Sequence, residues 1–246
     1  MRRLVLRFAR LYLHLLAHRP PRDWSVPVAD GRYGPEPPSG ERPLTLLMLG
    51  DSLAQGFGAQ RPGQTLGALL AHGLAEGTRR PVDLRVHARA GSTTAATGRQ
   101  LHRAVRLRPG IAVLIVGGND ILLPVPVGRS ARQHAHLAGA LKEAGWELVL
   151  VPCPDPGYAP GLRIPVRWIG RRRARRLAER HIRTAHRLGA HLAPTSGPEF
   201  RDHAPRLLGP DGIHPSPAGY ATHAARMLPV LLAAAGRLPA PAPAAT

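Results

Sequence analysis

The chain has 246 residues, with 34 Lys plus Arg against 15 Asp plus Glu, a formal net charge of +19; Lys142 is the single lysine. Hydrophobic residues at 43% exclude a disordered chain, and a single cysteine, Cys153, excludes an internal disulfide framework or a cysteine-rich metal site. No apolar run approaches the ~20 residues of a spanning helix, which excludes a multi-pass membrane protein, and the length suits one large α/β domain.

Residues 1–19 carry a helical pattern. Arg3, Arg7, Arg10 and His14 fall on one stripe, and Leu4, Val5, Phe8, Leu11, Tyr12, Leu15 and Leu16 on a broad opposite face. The pattern fits a helix lying on anionic lipid with its arginines at the headgroups. Docking on the protein's own core or on a second subunit, and an export signal interrupted by Arg7 and Arg10, are open alternatives. Residues 20–43, rich in Pro, Gly and charge, read as an extended linker. The domain proper spans 44–235. It begins with an apolar strand over 44–50, followed by a helix over 66–76, a strand over 82–88 and a helix over 94–107. The strongest strand, IAVLIVG, covers 111–117, before a helix over 130–144 and a strand over 147–152. An Arg-rich helix over about 168–189, a short fifth strand over 190–195 and a helix over 216–235 close it, and 236–246 form a Pro/Ala-rich tail. Strand–helix alternation predicts a parallel sheet covered on both faces, with chemistry at the carboxyl ends of the strands: after Gly50, Ala88, Val116 and Pro152.

Four segments bear on chemistry. GDSLAQGFGA after the first strand offers Ser52, a poor nucleophile unless a base takes its proton and donors hold the oxyanion. DGIHPSPAGY near the C-terminus offers Asp211 and His214 at a spacing one short loop can present, so that the carboxylate orients the imidazole and leaves its other nitrogen as base. ARAGSTTAATG supplies the unencumbered N–H of Gly91, and VGGNDILL the side-chain amide of Asn119, both suitable oxyanion donors. Each signal is weak alone. The order Ser, Gly, Asn, Asp-x-x-His, each falling beyond a strand or in the closing loop, is specific.

In that order the chain resembles the SGNH/GDSL hydrolases, above all their single-domain bacterial esterase and thioesterase members. Gly50-Asp51-Ser52-Leu53, Gly91, Gly117-Gly118-Asn119-Asp120 and Asp211-Gly212-Ile213-His214-Pro215 match the four blocks of that family, over roughly 44–232. The resemblance implies a three-layer α/β/α sandwich with about five parallel strands in flavodoxin-like order. It also implies a Ser52 nucleophile, a His214 base and a supporting Asp211, with an oxyanion hole from the Ser52 N–H, the Gly91 N–H and the Asn119 side chain. The family's usual reaction is hydrolysis of carboxylic esters or thioesters without a cofactor. The block around Gly91 departs from the pattern: Arg89-Ala90 stands where many members carry a polar residue before the glycine, and Ser92 adds a second hydroxyl. In the family the region after the fourth strand borders the acyl pocket, here Leu162, Ile164, Val166, Trp168 and Ile169.

The remaining residues have blander readings. Asp51 and Asp120 hold loops through backbone N–H groups. The other histidines are read as exposed or hydrogen-bonded, and Cys153 as a structural thiol. Ten arginines between Arg163 and Arg187 form a solvated face or, with residues 1–19, a contact with anionic membrane. Nucleic acid is the weaker partner because no aromatic residues are interleaved for stacking. The substrate expected is a small or lipid-like acyl ester. An O-deacetylase of carbohydrate and a basic binding protein on an inactive hydrolase fold are the competing readings. The location expected is cytoplasmic, with membrane association and export both left open for residues 1–19.

Overall fold

The apolar runs become the buried strands of one sheet. In the computed structural model, which describes residues 17–18, 20–21, 24–35, 42–194 and 198–238, the strands are β1 (Gly31–Tyr33), β2 (Leu44–Gly50), β3 (Val82–Val86), β4 (Ile111–Ile115), β5 (Glu147–Val151) and β6 (His191–Leu192). Their order across the sheet is β1-β3-β2-β4-β5-β6. Strands β2 to β6 pair in parallel, so five parallel strands stand in the expected flavodoxin-like order. β1 is added antiparallel at the edge, Gly31 opposite Leu84 and Tyr33 opposite Val82. This strand corrects the reading of 20–43 as linker throughout. The Asp30 carboxylate accepts from Val86 N at 3.0 Å, and the Tyr33 hydroxyl donates to Ala29 O at 2.7 Å. Three residues among prolines are too few to show a strand period in sequence. The helix expected over 1–19 lies outside the described residues except for Ala17 and His18, as does the tail beyond residue 238.

The helices are α1 (Ser52–Gln55), α2 (Leu66–Thr78), α3 (Thr94–Ala104), α4 (Gly118–Leu122), α5 (Val127–Glu143), α6 (Ile164–Leu188), α7 (Pro198–Asp202), α8 (Ala204–Leu207) and α9 (Pro217–Ala235). The two-residue alternation of β2 divides them into layers. Leu46 and Met48 pack with Leu66 and Leu70 of α2 and with Tyr220 and Met227 of α9. Leu47 and Leu49 pack with Leu137 and Leu141 of α5 and Ala185 of α6. All four β2 side chains are at most 1% exposed, and burial of each contributes roughly 2 kcal/mol. Helix starts are set locally: Thr65, Thr93 and Ser216 accept from Ala68 N, Ala96 N and Gly219 N at 3.2, 3.3 and 3.1 Å. α6 begins at Ile164, ahead of the expected 168, because Pro165 suits a first helical turn. Among the described residues no helix is long and apolar enough to cross a membrane.

Two histidines depart from the expectation of exposed or hydrogen-bonded rings. His134 of α5 and His181 of α6 are wholly buried and stack with ring centroids 3.7 Å apart. Neither ring nitrogen of His134 has a hydrogen-bond partner among the described residues. Burial lowers the His134 pKa to about 4. Burial, and then the charge of His134, lower that of His181, partly offset by the nearby Val151 carbonyl. Both rings are therefore neutral in the fold, whereas in the unfolded chain they take up protons near pH 6.5. The stability due to neutral His134 is complete above pH 6.5 and is lost as the pH falls toward 4, by about 3 kcal/mol. Urea midpoints measured from pH 7 to 4 should fall less steeply in His134→Leu than in the wild type. Parallel curves would remove the histidine from the acid response.

Candidate active site

The exit of β2 places Ser52. Gly50 has φ +138°, and a Cβ there would lie 1.8 Å from the Ile115 carbonyl oxygen of β4, so a side chain at this position would collide with the neighbouring strand. Gln100 of α3 holds both sides of this residue, its Oε1 accepting from Gly50 N at 2.9 Å and its Nε2 donating to Gly50 O at 2.8 Å. Asp51 then caps α1, Oδ1 accepting from Leu53 N at 3.2 Å, and Ser52 opens the helix.

Asp211 and His214 share the loop between α8 and α9. Asp211 is fully buried. Its Oδ1 accepts from Ile213 N at 2.9 Å and His214 N at 3.0 Å, while Oδ2 lies 2.6 Å from His214 Nδ1. His214 Nε2 lies 3.1 Å from Ser52 Oγ. Burial by itself would raise the Asp211 pKa. The hydrogen bond and charge of His214, with the two backbone N–H groups, outweigh it and hold the carboxyl below its usual value. A carboxylate, an imidazole and a hydroxyl thus stand in one hydrogen-bonded series, the arrangement in which an imidazole can take a hydroxyl proton.

Packing across 162 residues of sequence brings the two ends of this series together. The Phe57 ring meets the His214 ring edge-on, centroids 4.6 Å apart, and Trp24 packs on Phe57 at 5.3 Å. The hydroxyl of buried Tyr220 donates to Phe57 O at 2.8 Å. Trp24 and Phe57 were not anticipated. Phe57 stands in the first block but outside its four-residue signature, and Trp24 lies in the stretch read as linker.

Asn119 follows β4 in the first turn of α4. Its Nδ2 donates to Ser92 O at 3.0 Å, which uses one of its two N–H groups. Gly91 has φ +75°, with open space where a Cβ would be. The loop just before it is tied to the Ser52 turn by Arg89 N to Gly50 O at 3.1 Å and Ala90 N to Gln55 Oε1 at 2.6 Å. Ser92 is 7% exposed, and its hydroxyl accepts from Gln100 Nε2 at 3.4 Å. Asp51 and Asp120 do bond loop N–H groups: Asp120 Oδ2 accepts from Thr94 N at 2.8 Å. Burial pushes Asp51 up to about 7, against the Leu53 N–H and the nearby His214.

Ser52, Asn119, Asp211 and His214 line one cavity of about 340 Å³; Gly91 is not among its lining residues. The walls are mostly apolar, including Leu53, Ile121, Leu162, Phe200, Leu208 and Ile213. Ala17, His18 and Pro20 also line it, and His18 N donates to Gly161 O at 2.8 Å, so residues before the domain shape the site. Of the five residues expected at the pocket from 162 to 169, only Leu162 lines it. Val166 is buried elsewhere, while Ile164, Trp168 and Ile169 are exposed: α6 turns Val166, Ala174 and Leu177 inward and these three outward. Among the described residues no group of three His, Cys, Asp or Glu is placed to hold a metal ion.

Comparison with known proteins bears on these features. The description "GDSL-like Lipase/Acylhydrolase family" matches residues 48–222. A GDSL-like esterase of Mycobacterium tuberculosis is 31% identical over 181 residues, 72% of this chain and 58% of that protein. The chain thus matches less than two thirds of the length of that relative. The psychrotrophic esterase EstA from Pseudoalteromonas sp. superposes with a TM-score of 0.60 at 21% identity, over 76% of this chain and 96% of its own. A lipase/acylhydrolase from Enterococcus faecalis does so with a TM-score of 0.63 at 19% identity, over 77% and 96%. At these identities the two structures show the shared fold alone.

Proposed function

We propose that this chain, which belongs to the GDSL-like lipase/acylhydrolase family, is a serine hydrolase that cleaves carboxylic esters or thioesters of small or lipid-like acyl groups, with Ser52 as nucleophile, His214 as general base and Asp211 as its support. The observation that carries the reading is the unbroken series from Asp211 through His214 to Ser52, opening into an apolar cavity. His214 Nε2 takes the Ser52 proton as Oγ attacks the acyl carbon. Asp211, ionised at neutral pH, fixes the Nδ1–H tautomer and stabilises the imidazolium. Charge collecting on the carbonyl oxygen is met by the unspent Asn119 N–H and by the Ser52 and Gly91 backbone N–H groups. His214 then protonates the leaving alcohol or thiol and activates water against the acyl-enzyme.

A cavity of about 340 Å³ is at the lower end of ligand pockets, which favours a single acyl chain. Its apolar walls favour acyl substrates over acetylated carbohydrate. A p-nitrophenyl ester series from acetyl to palmitoyl tests the substrate class, and a fluorophosphonate probe mapped by mass spectrometry tests the nucleophile. Ester turnover with the label on Ser52 is expected; a label elsewhere, or none, refutes the assignment. Asn119→Ala should lower kcat by about 10²–10³-fold with little change in KM. An unchanged kcat would take Asn119 out of the oxyanion site.

A further inference from the structure

The first turns of α6 carry an unusual surface. Ile164, Trp168 and Ile169 are 72%, 63% and 51% exposed, and Ile164 and Trp168 are i,i+4 neighbours. Arg163, Arg171, Arg172, Arg175 and Arg176 are exposed around and beyond them. Arg172 lies over the Trp168 ring, 5.5 Å from its centroid. Arg171 reaches Asp155 at 3.3 Å, and Arg173 turns inward to the Asp120 and Val125 carbonyls. Among the described residues no carboxylate pairs with Arg172, Arg175 or Arg176, and Glu179 is the one acid in the helix. Cations gathered in the first half of a helix oppose its dipole, so helix stability does not account for them. The tip adjoins the cavity. Leu162, two residues before α6, lines it, and Pro156, another lining residue, lies against Gly170 of α6.

We propose that this face of α6 docks on an anionic lipid surface, Ile164, Trp168 and Ile169 entering the interface while the arginines engage the headgroups and the cavity sits beside the bilayer. Trp at the headgroup level, aliphatic side chains below it and arginines extending to phosphate are the division that an interface rewards. A nucleic acid would engage the arginines and leave Ile164 and Ile169 in water. A second copy would bring like charges together on a chain of net charge +19. Only delivery of acyl substrate from the bilayer rests on the esterase reading; docking itself does not require catalysis.

The test is co-sedimentation of the full chain with vesicles of phosphatidylcholine containing 30% phosphatidylglycerol, against phosphatidylcholine alone. Binding to the anionic vesicles only is expected. Combined Arg172→Glu, Arg175→Glu and Arg176→Glu should weaken it by at least about 10²-fold. Brominated lipid should quench wild-type tryptophan fluorescence, and the quenching should vanish in Trp168→Phe, since Trp146 is buried and Trp24 packs on Phe57. Turnover of soluble p-nitrophenyl acetate, unchanged in these variants, reports that they are folded and separates loss of docking from loss of catalysis. No vesicle binding, binding that ignores the arginine changes, or unquenched Trp168 overturns the proposal. So does charge-dependent retention of duplex DNA without vesicle binding.

Discussion

Ser52→Ala is expected to reduce kcat on p-nitrophenyl esters by about 10⁶-fold, to near the uncatalysed rate. The substitution removes one oxygen and leaves the backbone N–H, Asn119 and the cavity in place, so KM should change little and fluorophosphonate labelling should disappear. The size of the effect follows from covalent catalysis: without Oγ, His214 has no hydroxyl to deprotonate and can act only through a loosely held water. Ser92 is the rival hydroxyl near the same strand ends, but it is almost fully buried and its oxygen is engaged by Gln100. Residual turnover above about one part in a hundred, with label retained, would move the nucleophile there. Steady-state rates and intact-protein mass of the two proteins decide it.

Asp211→Asn is expected to lower kcat by about 10⁴-fold at little cost in stability. The carboxylate uses both oxygens: Oδ1 accepts from two backbone N–H groups, and Oδ2 faces His214 Nδ1 at 2.6 Å. Asparagine has one oxygen, which the two backbone donors hold. Its NH₂ then points at Nδ1, which must become an acceptor. The ring proton moves to Nε2, the nitrogen that faces Ser52, and the base is lost while the loop keeps its shape. Binding and the thermal midpoint should stay close to wild type. A fall in kcat of less than about tenfold would mean that His214 is oriented mainly by Phe57 and the loop, and that Asp211 is a structural support.

The candidate site was legible because its signals are local. Gly50-Asp51-Ser52 ends a strand whose apolar run is plain in the sequence, and the conformation required at Gly50 is met by glycine. Asp211 and His214 meet because they stand three positions apart in one loop and two backbone N–H groups orient the carboxylate. The five parallel strands and the long helices were legible for the same reason: buried runs and helical periodicity are properties of contiguous residues. The edge strand β1 was not, being three residues that become a strand by pairing with β3.

What only the tertiary structure decided depends on residues far apart in the chain. Trp24 and Phe57 reach His214, and Ala17, His18 and Pro20 reach the cavity, through packing that no local pattern encodes. His134 and His181 stack because α5 and α6 lie side by side; each alone looks like an ordinary helical histidine. Ile164, Trp168 and Ile169 face outward rather than into the pocket because α6 buries Val166, Ala174 and Leu177 against the body of the domain. The sequence by itself determined which groups make up the candidate site and which strand ends and closing loop carry them, since backbone geometry and short hydrogen bonds act over a few residues. The tertiary structure decided what surrounds them, since burial and ring contacts are set by how the layers close.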